Sequence, residues 1–145
     1  MSASSPQPRI TLSPHTIHNP AEPRHFMRVR PVPGTVRVRF GDRLLASSAA
    51  ALRVIEVGKD VHHPAIYLPP ADIVAKLARN THETHCPLKG RAGYFDLPAS
   101  AGQPAITSIA WTYIEPPAFS AELAGLVSFY PRHVVIEEHP AGEGD

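Results

Sequence analysis

The chain has 145 residues, enough for one domain with a single buried core and too few for a second independent one. Its 14 Lys and Arg nearly balance 13 Asp and Glu, for a formal net charge of +1, which excludes the strong basic footprint of a nucleic-acid or anionic-membrane binder. The single cysteine rules out an intramolecular disulfide, and no apolar run reaches the length of a transmembrane helix or a secretory signal, so a reducing cytoplasm is the expected setting.

Residues 1–27 contain Pro, Ser and His without a basic run leading into an apolar core, and read as an extended or flexible arm. Residues 28–139 read as one β-rich domain and 140–145 as a tail. The 17 prolines argue against long helices, since each removes a backbone donor and restrains the residue before it. Arg24, Arg28, Arg30, Arg37, Arg39 and Arg43 make the first third basic. No aromatics interleave with them, so they read as a solvated strand face and nucleic acid is not an expected partner. Residues 36–40 alternate apolar and charged side chains at a period of two, which predicts a strand burying Val36, Val38 and Phe40. Gly41-Asp42 suits a two-residue hairpin turn, with residues 43–47 returning. A third strand fits residues 52–57, where Glu56 is the carboxylate to watch; an exposed position is the expectation and a buried, tuned one the alternative. Residues 65–68 form a short strand ended by Pro69-Pro70, and proline at the first helical position predicts a helix to about Arg79 with Ile73, Val74 and Leu77 inward and Asp72 capping. Strands follow at 94–97 and 105–113, then a short helix capped by Ser120 through Ala124, and strands at 126–130 and 133–137. The expected fold is mainly β: compact antiparallel sheets in an open-barrel or tent-like arrangement with two short helices.

Residues 81–95 gather the only cysteine, two of the nine histidines, a lysine beside glycine and two aromatics. Within them, Thr84-His85-Cys86-Pro87-Leu88-Lys89-Gly90-Arg91-Ala92-Gly93-Tyr94 resembles the T-x-C-P-x-K-G-x-A-x-Y signature of the family called domain of unknown function 427, also labelled nucleotidyltransferase family 9. The resemblance spans about residues 28–137 through Val36 to Gly41, Ala46 and Ser48, Glu56, Tyr67-Leu68-Pro69 with Asp72, Ala110 to Tyr113, and Phe129-Tyr130-Pro131. The chain departs from the pattern at Ser47, where Asp is usual, at Leu88, where an aromatic is common, and at Gly93, where a small hydroxyl residue is common. The resemblance implies a fold far more than a function. Metal-assisted nucleotidyl transfer needs closely spaced carboxylates, yet the five aspartates, Asp42, Asp60, Asp72, Asp96 and Asp145, stand singly and no phosphate loop is present.

The residues themselves suggest chemistry. Cys86 precedes proline, which favours an extended strand end, and Lys89 and His82 lie close in sequence. Strand alternation puts His82, Thr84 and Cys86 on one face and His85 on the other. Lys89-Gly90 reads as a turn with the lysine at the rim, an anion anchor or a solvated hairpin residue. Zinc ligand types occur at His62, His63, His82, His85 and Cys86, but their spacing matches no metal motif, so no metal or cofactor is expected. Trp111 and Tyr113 share a strand face and would form, with Tyr67 and Tyr94, the wall of a small-molecule pocket whose polar end is Thr84, Cys86 and Lys89. For an enzyme, Cys86 is the nucleophile or redox thiol, Lys89 the electrostatic stabiliser, and Glu56 or His82 the proton carrier. The alternative is a non-catalytic structural or protein-interaction module. Edge pairing or arm exchange would make a homodimer.

Overall fold

The structure, a computed structural model, describes residues 11–100 and 102–141; the first ten residues of the expected arm and residues 142–145 of the expected tail, Asp145 included, lie outside them. It is mainly β. Eleven strands form three antiparallel sheets: β1 (Ile17–Asn19), β2 (Glu22–Pro31), β5 (Leu52–Val57) and β6 (Ala65–Tyr67) in the order β1-β2-β5-β6; β7 (Ala78–Cys86), β8 (Gly90–Leu97), β9 (Ile106–Glu115) and β10 (Val127–Phe129) in the order β10-β9-β8-β7; and β3 (Thr35–Phe40), β4 (Arg43–Ser48) and β11 (Val135–His139) in the order β11-β3-β4. Leu68 and Val127 exchange two backbone hydrogen bonds of 2.8 Å, which stitch the end of the first sheet to the edge of the second. Among the described residues, the first two sheets share that seam and no sheet closes into a barrel.

The β3–β4 hairpin follows from its alternation: Val36 and Val38 are buried, Phe40 is half-buried, and Gly41 turns the chain at φ +59°. Arg39, on the opposite face, pairs with Glu137 of β11 at 2.8 Å. Two expected helices shrink to 3-10 turns, Pro70–Asp72 and Ala118–Leu123. In the first, the backbone competes better elsewhere: the N–H groups of Val74 and Ala75 both donate to Leu45 O and Ile73 bridges Ala46, so residues 73–75 run beside β4. Ile73 and Leu77 pack inward as expected, but Val74 is 65% exposed. Asp72 accepts a 2.6 Å hydrogen bond from Ser48, instead of capping a helix. Ser120 likewise caps nothing; it is buried and donates to Leu88 O at 2.6 Å. The last strand starts at Val135, two residues later than expected.

The apolar residues fall into two clusters. The larger, around Val36, Val38, Leu45, Leu68, Ile109 and Phe129, lies beneath the three-stranded sheet; the smaller, Met27, Val54, Tyr67, Leu88, Ala92, Tyr113 and Leu123, fills the space between the two four-stranded sheets. Ionisable groups enter the structure at the edge of the smaller one.

Candidate functional site

On β5, Val54 and Glu56 face inward while Ile55 is 44% exposed, so alternation carries a carboxylate into the second cluster. Glu56 is 4% exposed, which corrects the expectation of a solvated position. Lys89, expected at the rim, is also turned in. The hairpin Pro87-Leu88-Lys89 between β7 and β8 buries Leu88 completely, and Gly90 at φ +88° lets the strand resume so close to Glu115 that a Cβ there would sit 2.7 Å from its carbonyl oxygen. Ser120, bonded to Leu88 O, fastens the hairpin from below. Lys89 Nζ then donates to Glu56 Oε1, and His25 Nε2 donates to Glu56 Oε2 at 2.7 Å. Both carboxylate oxygens are thus engaged.

Burial pushes the Glu56 carboxyl up, but the Lys89 charge and the hydrogen bonds from His25 and Lys89 more than offset it and hold the group below the usual carboxylate range. Burial by itself would lower Lys89; the neighbouring Tyr67 and the Glu56 carboxylate raise it instead, so the ammonium is retained. The ammonium also lies 5.2 Å from the centre of the Tyr113 ring, within cation–π range. Cys86, half-buried at the end of β7, completes the group: His25, Glu56 and Cys86 each offer a ligand atom within 4.8 Å of the others.

His25 also lines a cleft of about 710 Å³ with Glu22, Arg24, Gly58, Lys59, Asp60, His62 and Pro87. A tight turn at residues 58–60 brings His62 back against β5, its backbone N–H 3.1 Å from Glu56 O. The structure therefore brings Glu56, Lys89 and Cys86 together and adds His25. Tyr67, Tyr113 and Trp111 form an aromatic array that adjoins this group through Lys89 and Tyr113. Tyr67 is fully buried and Tyr113 nearly so, with ring centres 6.2 Å apart; Trp111 meets Tyr67 edge-on at 6.0 Å and donates to its hydroxyl at 3.2 Å. Tyr94 is bonded to the exposed Thr84 at 2.8 Å and stacks on His82 at 4.5 Å. His82 and Thr84 are thus surface partners of Tyr94, while Glu56 has His25 for its imidazole. Of the departures from the signature, Gly93 has a local reason: Arg79 lies over it, its Nη1 only 1.8 Å from where a Cβ would stand.

No local pattern singles out His25, which comes from β2, 31 residues before Glu56. Register explains it in retrospect: Met27 pairs with Glu56, and His25, two residues earlier, shares that strand face.

Among known proteins, the family model described as Domain of unknown function (DUF427), labelled NTP_transf_9, matches residues 28–139. No curated protein matches the chain. The matched range holds Glu56, Cys86 and Lys89 and begins three residues after His25.

Proposed function

The chain belongs to the family of the domain of unknown function DUF427, and from that premise we propose that it binds a small molecule in the cleft beside His25, over the Glu56–Lys89 pair. The observation that carries this reading is one buried carboxylate with both oxygens engaged, one of them by an imidazole that lines an open cleft. A buried ion pair is often no more stabilising than apolar residues of the same volume, so its hydrogen bond to an imidazole that lines a cleft favours a role toward a ligand. The cleft wall carries Lys59 and two imidazoles beside Glu22 and Asp60, whose carboxylates accept backbone hydrogen bonds from Arg24 at 3.0 Å and Val61 at 2.8 Å. Lys59 and the two imidazoles are the donors this wall offers to a ligand bearing a carboxylate or phosphate group. Nucleotidyl transfer is not the reading: among the described residues, the cluster of metal-ligand types holds one carboxylate, whereas that chemistry uses several around its ions.

One observation favours the alternative of a purely structural module, the tight fastening of Lys89 and its hairpin through Ser120. A thermal-shift panel of small carboxylates and phosphate esters, run on the wild type and on His25→Ala, separates the two. The expected result is a compound that raises the wild-type midpoint and binds one per chain by native mass spectrometry, with the shift lost in a folded His25→Ala protein. Absence of any shift, or an equal shift in the variant, overturns the proposal.

A further inference from the structure

We infer that His25, Glu56 and Cys86 form a site for a divalent transition metal of the zinc class, open toward the cleft. Imidazole, carboxylate and thiolate are all established zinc ligands, and the thiolate biases the set away from magnesium and calcium. In a tetrahedral zinc site, bonds of about 2.0–2.3 Å place ligand atoms roughly 3.3–3.7 Å apart. The three atoms here lie within 4.8 Å of one another, with His25 Nε2 and Glu56 Oε2 at 2.7 Å, so displacements of about 1 Å bring them to that spacing. They come from β2, β5 and the end of β7, three elements of two sheets, so the folded chain itself assembles the set.

Lys89 fits this arrangement as an outer partner. It bonds Oε1 and so fixes the carboxylate while Oε2 faces His25. When the ion enters, the S–H bond of Cys86 breaks and its proton leaves to bulk water, the proton that His25 Nε2 donates to Glu56 is given up as the imidazole takes its Nδ1–H tautomer, and sulfur–metal and nitrogen–metal bonds form. Thiolate and carboxylate together then offset the ammonium and part of the ion's charge. Access comes from the cleft. Gly58 has no side chain to intervene where the Nε2 atoms of His25 and His62 both lie 3.5 Å from its would-be Cβ, which leaves the fourth position facing His62 and solvent.

The inference does not depend on the proposed ligand, because its test uses the metal alone. Chelator-treated full chain is titrated with Co²⁺, which reports thiolate ligation by a sulfur-to-metal charge-transfer band. The expected result is one equivalent bound with that band, displaced by Zn²⁺, absent in Cys86→Ser, and with affinity weakened more than about tenfold in His25→Ala. No band, or a band of unchanged affinity in His25→Ala, overturns the site. Should Cys86→Ser fail to fold, Zn²⁺ protection of the wild-type thiol from iodoacetamide serves instead: slowed alkylation is expected, and an unchanged rate refutes the inference.

Discussion

At the scale of single residues, Glu56 governs the cluster. Truncating it strands a buried ammonium, so Glu56→Ala should destabilise the fold by roughly 3–5 kcal/mol in chemical denaturation. Replacing both partners by neutral side chains of similar volume, Glu56→Gln with Lys89→Met, should recover most of that loss, because no unpaired charge remains. An equal loss in the double variant would show that the pair stabilises the fold by its own attraction. His25→Ala removes a half-buried hydrogen bond and should cost only about 1 kcal/mol. The chemistry of Cys86, Lys89 and Glu56 was legible from residue type, and their convergence was not. Lys89 looked like a turn residue because lysine beside glycine normally is one; only the burial of Leu88 just before it turns the ammonium inward.

At the scale of elements, the hairpin from Cys86 to Gly90 positions everything else. Gly90 combines a positive φ with a backbone contact that leaves no room for a methyl group, so Gly90→Ala should cost about 1–3 kcal/mol from backbone strain, and more from the clash. Its denaturation midpoint should fall together with any binding at the cleft. Ser120→Ala should cost roughly 1–3 kcal/mol by leaving Leu88 O buried without its donor. Strands with strict alternation, such as 35–40, were legible because period two is decided locally. The segment after Pro70 was not. Its helical signals were real, but the Leu45 carbonyl, 29 residues before Val74, accepts its N–H and outweighs them. Local pattern contains no information about that acceptor.

At the scale of the whole molecule, the two four-stranded sheets enclose phenols that cannot readily ionise. Burial raises Tyr67 and Tyr113, and burial together with the neighbouring Tyr94 charge pushes Tyr130 up to about 12. An acid whose folded pKa exceeds its unfolded value near ~10 holds its proton longer in the native state. The associated stability is therefore complete below about pH 10 and is lost as pH rises through the folded values. Alkaline titration should show phenolate absorbance from Tyr67 and Tyr113 appearing only with loss of tertiary structure; smooth ionisation of all four tyrosines in a folded protein would contradict this packing. The same array has an optical consequence. Trp111 is the chain's one indole, bonded to Tyr67, 4.4 Å from Tyr130, and linked through Tyr67 and Tyr113 to the Lys89 ammonium. Energy absorbed by the tyrosines drains to a single emitter, so the fluorescence of the unlabelled protein is a built-in gauge of events at the seam between its sheets.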